Sequence, residues 1–260
     1  MIMSCSKSLA QYTDNNIFTG YKSDNLLSIS SDAKTSKGEK MGFLTGILYL
    51  APYKTISIYN TCSMAHIAGC DKACLYSAGR GAYSSVQKAR INKTEWYYQD
   101  RESFILQLIK NIYSLIYKAN KLGLIPLIRL NGTSDIKWEN VSFEYNGKYY
   151  DNIMQLFPDI QFYDYTKIIN RNNLPINYDL TFSYSGKPEF IKYVNKAINN
   201  KMRIAVVFKD KHNLPNEFMG LSVVNGDNSD IRHLDPQNVI VALYAKGKAK
   251  SDNTGFVVHN

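Results

Sequence analysis

The chain has few of the features that would staple it or anchor it to something else. It carries four cysteines among 260 residues, and Met1–Asn16 holds no apolar leader but a mixture of Ser, Asp and Asn. A secretory origin and a disulfide framework are therefore not expected. No stretch approaches the roughly 18 consecutive apolar residues of a membrane span, so a membrane partner is not expected either. Lysines are spread along the chain, and no run of about five or six like charges suggests a tail or an import signal. The GxxxxGK[ST], HExxH and GxSxG motifs are missing, which removes the common phosphate-loop, zincin and hydrolase-elbow readings. His66, His212, His233 and His259 lie far from any such elbow.

What is present is an ordinary globular composition, 45% hydrophobic and 20% charged. That balance excludes disordered, collagenous and coiled-coil chains. The formal net charge of +9 points to a polyanionic partner, nucleic acid or nucleotide. The length suits a single domain. Residues 1–40 show no core-forming period and read as an irregular N-terminal arm, leaving 41–260 as one domain.

Six short, continuous apolar runs recur at 44–50, 124–130, 160–163, 178–182, 204–208 and 239–243. Runs of this kind suit strands buried on both faces. Helical patterns lie between several of them. Ser84–Tyr98 presents Lys88, Arg90 and Lys93 as a basic face. Asp100 is placed to cap a long amphipathic helix ending at Gly123, and Lys187–Asn199 is a third helix. Asn146-Gly147 between aromatic runs predicts a small β-hairpin near 142–150. The alternation predicts an α/β fold with a parallel sheet, read as an incomplete, TIM-like (β/α)6 barrel; a doubly wound open sheet is the alternative.

Sites in parallel α/β folds lie beyond the carboxyl ends of the strands. After the first run comes Cys62-Ser63-Met64-Ala65-His66-Ile67-Ala68-Gly69-Cys70-Asp71-Lys72-Ala73-Cys74, spaced C-x7-C-x3-C. Three thiolates can hold a four-iron cluster with one iron open; adding His66 would give four zinc ligands. Cys5 stands apart from this group. After the second run come Arg129, Asn131, Gly132, Ser134 and Asp135, and after the third Asp164 and Lys167. Ser183 and Ser185, then Lys209, then Lys246 and Lys248 follow the last three. On this reading Cys62, Cys70 and Cys74 bind metal, while Arg129, Asn131, Gly132 and Ser134 hold a cofactor. Asp135, Asp164 and Lys167 do the chemistry, and Arg80, Lys209, Lys246 and Lys248 contact an anionic substrate.

These segments resemble the phage gene product 88 domain family from about Asn16 to His259. The resemblance is carried by Tyr59-Asn60-Thr61-Cys62, Gly69-Cys70, Cys74-Leu75-Tyr76, Gly79-Arg80-Gly81, Arg129 to Asp135, Phe162 to Lys167, and Ala245 to Ala249. It implies a phage or prophage gene acting in the host cytoplasm and carries no established activity. A weaker resemblance is to radical-SAM enzymes, which place a three-cysteine loop after the first barrel strand and a glycine motif after the second. It implies a [4Fe–4S] cluster with S-adenosylmethionine. The spacing here differs from CxxxCxxC, and Asn131-Gly132-Thr133 stands where that family has Gly-Gly-Glu.

Overall fold

The structure, a computed structural model, describes residues 18–29, 33–74, 79–210 and 212–259, with backbone only at 33–36, 72 and 73. Cys5 lies outside it. The strands are β1 (Leu27–Ile29), β2 (Phe43–Leu48), β3 (Ile125–Arg129), β4 (Phe143–Tyr145), β5 (Lys148–Tyr150), β6 (Gln161–Thr166), β7 (Tyr178–Ser183), β8 (Ile204–Phe208), β9 (Glu217–Phe218), β10 (Leu221–Asn225), β11 (Ile240–Tyr244) and β12 (Val257–Val258). The helices are α1 (Ala33–Lys40), α2 (Cys70–Ala73), α3 (Ser84–Gln99), α4 (Arg101–Leu122), α5 (Ile153–Leu156) and α6 (Pro188–Asn199).

The six apolar runs become β2, β3, β6, β7, β8 and β11. They lie side by side in chain order, all parallel. They do not form a barrel. They belong to a mixed ten-stranded sheet that ends in β1, antiparallel to β2, on one side and in β9, antiparallel to β10, on the other. The predicted (β/α)6 barrel is thus replaced by an open sheet with few helices. A continuous apolar run reports burial on both faces; it carries no information about closure. Two of the crossovers hold a long helix. The β6–β7 link has none, and the β8–β11 link adds β9 and β10 to the sheet instead of a helix. β12 pairs with the far half of β8, at Val207 and Phe208, where β7 pairs only with Ile204 and Ala205. The topological ground for the radical-SAM resemblance goes with the barrel.

One sheet face is covered by helices. Leu44, Leu48 and Ile128 meet Phe104, Leu108, Ile112 and Leu115 of α4, and Ile204, Val206 and Phe208 meet Phe190, Val194 and Ala197 of α6. α4 starts where Asp100 accepts a hydrogen bond from Ser103 N and stops at Gly123 in the left-handed region, as its capping signals require. The 4-5 hairpin turns at Asn146 and Gly147, both with positive φ, the pattern of a tight hairpin turn. The other sheet face is covered in part by the 226–236 segment, with Ile231 packed on Leu127 and Tyr163. Within 18–40, read as irregular, the chain forms β1 and α1. Among the described residues no helix is long and apolar enough to cross a membrane.

Candidate functional site

The cysteine segment lies over the carboxyl ends of the parallel strands, and hydrogen bonds from several of them fix it there. Thr61 Oγ1 donates to Ala51 O at 2.6 Å, and Asp135 N donates to Thr61 O at 2.8 Å. Ser185 Oγ, beyond β7, donates to Ala68 O at 2.7 Å, and Thr254 Oγ1, before β12, to Gly69 O at 3.3 Å. Gly69 needs to be glycine: its φ is +70°, and a Cβ would stand 2.7 Å from Lys187 Cδ and 2.9 Å from Thr254 Oγ1. It turns the chain into α2, which carries Cys70 and Asp71.

Between this segment and the 52–55 loop lies a cavity of about 290 Å³, lined among others by Cys62, Cys70, Cys74, Asp71, Lys54 and Lys248. Tyr53, also in its wall, is held at a φ of 47°, an uncommon conformation for a residue with a side chain. None of the three cysteines is in a disulfide. The Cys62 thiol faces Thr133 O at 3.8 Å and the Cys70 thiol faces Ala65 O at 3.7 Å. Burial pushes the Cys62 thiol up to about 12; a hydrogen bond from the Tyr53 backbone offsets part of this. Burial pushes Cys70 up to about 11, with Lys167 opposing and Cys74 adding to the rise. Both thiols are therefore neutral at pH 7. Among the described residues no three Cys, His, Asp or Glu side chains stand close enough to hold a metal ion as they are placed. His66 faces outward, and its Nδ1 lies 3.1 Å from Asp71 Oδ2.

A buried ionic network lies beneath the cavity. Asp135 accepts from Thr166 Oγ1 and from Lys167 N, each at 2.8 Å, and lies 3.6 Å from Arg171. Arg171 also forms a two-pronged pair with the buried Glu139. Lys167 Nζ donates to Ser183 O, Ser183 Oγ and Tyr184 O, each at 3.0 Å, and sits over the rings of Phe190 and Phe256. Burial pulls this ammonium below its usual range, and Cys70, Asp135, Cys62 and Cys74 push it back. Lys167 is thus a fixed cation felt by all three thiols.

Asn131, Ser134 and Asp164 make hydrogen bonds within the protein. Asn131 Oδ1 accepts from Ser134 Oγ, Ile136 N and Trp138 Nε1, at 2.8, 2.9 and 3.2 Å. It therefore shapes the turn after β3, and Ser134 serves it. Asp164, fully buried, accepts from Leu130 N, Asn131 N and Tyr178 OH at 3.1, 3.0 and 3.1 Å. Gly132 leaves no room for a side chain, since a Cβ would lie 2.7 Å from Ile47 and 2.8 Å from Leu48 O. Arg129, buried, stacks between Tyr163 and Tyr165 at 5.5 and 5.2 Å and lies 3.9 Å from Asp164.

Burial pushes the Asp164 carboxyl up from 3.8 to about 6. The folded state then holds this proton more tightly than the unfolded chain. The stability it contributes is complete below about pH 4 and is lost as pH rises through 6. The expected outcome is a slope of about 1–3 kcal/mol in unfolding free energy between pH 4.5 and 7.5 that is absent from Asp164→Asn. Urea titrations of both proteins across that range check it, and parallel profiles would refute it.

Lys248 lines the cysteine cavity, joined by Lys54, which the sequence reading missed. Lys246 is paired with Asp227 at 2.8 Å and lies over Tyr244. Arg80 is exposed in the 79–82 turn, and Lys209 is exposed beyond β8. Of the α3 trio only Lys88 is exposed. Arg90 stacks on Tyr49 at 4.9 Å, while Lys93 is buried, donates to Leu26 O and is pushed down to about 8 by burial. Asp71 was also missed. Its signal was its place between Cys70 and Cys74.

The chain matches the family model described as Gene product 88 over residues 25–260. No curated protein and no solved structure matches it. The radical-SAM resemblance has no counterpart among these matches.

Proposed function

The chain belongs to the phage gene product 88 family, and we propose that it is a metal-centre protein in which Cys62, Cys70 and Cys74 hold an iron–sulfur cluster beside an anionic nucleotide or nucleic-acid substrate. The observation that carries this reading is the cavity: all three cysteines, drawn from a 13-residue span and free of disulfides, line it. The donor set suits the group. Three thiolates are a recognised cluster ligand set, and when bound such a cluster supplies an open iron position and an electron. Binding requires two changes in this chain. The thiols must lose the protons that burial now holds on them, and they must turn from Thr133 O and Ala65 O into the cavity.

The chain's own residues support those changes. Lys167 offsets the charge of the thiolates, while Asp135, itself paired with Arg171, fixes the Lys167 backbone. Lys54 and Lys248 at the rim attract anions. The net charge of +9 favours a second reading, a nucleic-acid binding protein with zinc on the same thiols. The test is anaerobic purification of the full chain and of each Cys→Ser variant, with iron, sulfide and zinc measured. Iron and sulfide together are expected in the parent. At least a threefold loss is expected in Cys62→Ser, Cys70→Ser and Cys74→Ser, and no loss in Cys5→Ser. Zinc without sulfide would favour the second reading, and a metal-free parent would overturn both.

A further inference from the structure

We infer that the buried Arg129 guanidinium is an anion site that takes one phosphate group, and that this site is separate from the thiols. Of the four residues read as holding a cofactor, Arg129 alone has donors left over. Gly132 has no side chain, Asn131 Nδ2 donates to Ile136 O, and Ser134 Oγ donates to Asn131 Oδ1. The Arg129 side chain is 3% exposed and stacks between Tyr163 and Tyr165. Its Nε is enclosed without a hydrogen-bond partner, and Nη1 and Nη2, less enclosed, meet no acceptor among the described residues either. Asp164, its one ion-pair partner among those residues, stays 3.9 Å away and accepts from Leu130 N, Asn131 N and Tyr178 OH instead. A buried guanidinium ordinarily engages its fork with carboxylate oxygens, as Arg171 does with Glu139 and Arg203 with Asp179. The idle fork of Arg129 has the shape that a phosphate fills with two parallel hydrogen bonds.

Position and charge fit that ligand. Arg129 ends β3 and Tyr165 is the last residue but one of β6, at the carboxyl edge of the parallel strands, where open α/β sheets bind ligands. A second buried guanidinium, Arg232, acts on the same ring. Its Nη2 donates to Gly226 O and Ser229 O, its Nη1 lies 2.9 Å from Asp235, and its Nε has no hydrogen-bond partner. Burial pushes the Tyr165 hydroxyl up to about 12, and Arg232 and Arg129 both oppose the rise. The fields of the two arginines therefore meet at this hydroxyl, itself a hydrogen-bond donor. Two cations and a neutral donor suit a doubly charged oxyanion. Asp230 works against an anion there, since it adds to the rise, but among the described residues it pairs with neither arginine. A side chain this little exposed is reached by the terminal phosphate of a small ligand, whereas a nucleic-acid backbone lies across exposed cations.

Isothermal titration calorimetry of the full chain tests this with inorganic phosphate, adenosine 5′-monophosphate and adenosine as probes. The parent is expected to bind the nucleotide with a Kd below about 1 mM and adenosine at least tenfold more weakly. Arg129→Lys keeps the charge and loses the fork; it is expected to weaken nucleotide binding at least tenfold with an unchanged circular dichroism spectrum. Asp230→Asn removes the opposing charge and leaves both arginines in place. It is expected to tighten binding at least twofold, so the inference stays testable even if Arg129→Lys fails to fold. Tighter binding of the nucleotide than of inorganic phosphate would place the group on a nucleotide, and equal binding would make the free ion the ligand. The variant lacking Cys62, Cys70 and Cys74 is expected to bind as the parent does; loss of binding there would overturn the separateness of the two sites. No binding of either phosphate probe to the parent, or equal affinity in the parent and Arg129→Lys, would overturn the site itself.

Discussion

Arg171→Leu is expected to lower the unfolding free energy by about 3–5 kcal/mol, the cost of stranding buried charge. The Arg171 side chain is 2% exposed and faces Glu139, 1% exposed, and Asp135, 10% exposed. It also lies against the ring of Tyr178. Neither carboxylate can reach water when the guanidinium is removed, so each must be protonated or drag solvent inward. The double variant Glu139→Leu with Arg171→Leu is expected to recover part of the loss, because apolar replacement of both members of a buried pair is tolerated far better than removal of one. Urea unfolding followed by circular dichroism measures both. A loss below about 1 kcal/mol in the single variant would show that the network is solvated.

The second large effect concerns the thiols without metal. Cys62 and Cys70 are pushed up to about 12 and about 11 by burial, and only the thiolate attacks an alkylating agent. In metal-free protein at pH 7.5, iodoacetamide is expected to label both at least a hundredfold more slowly than an exposed cysteine. The rate is expected to climb until beyond pH 10. Since these protons must leave when a metal binds, apparent metal affinity is expected to rise steeply with pH. Peptide mass spectrometry after timed labelling gives each rate separately. Rapid labelling of Cys62 and Cys70 at pH 7.5 would contradict the burial that the account assigns them.

The sheet was legible where single elements announce themselves. Apolar runs gave the six parallel strands, and Asp100 and Gly123 marked the ends of α4. Closure was not legible. β9 and β12 are two residues long and β1 is three, too short to show a period, yet β1 and β9 form the sheet's edges. The cysteine loop was legible from its spacing. What the strand-end rule could not separate is residues that face a cavity from residues that build its floor. Asn131 and Asp164 accept buried hydrogen bonds from the turn after β3, and Ser134 donates to Asn131. Lysine content was equally silent about pairing: Lys246 meets Asp227 and Lys93 meets a carbonyl, so neither charge joins a common rim. Lys54 approaches the cysteines only through the fold.

Native mass spectrometry of the full chain, isolated and sprayed without oxygen, tests whether the three cysteines hold a metal centre. The expected mass exceeds the bare polypeptide by one metal centre, which is lost on acidification and absent from the variant lacking Cys62, Cys70 and Cys74. The bare polypeptide mass in folded protein, unchanged after incubation with iron and sulfide or with zinc, would contradict it.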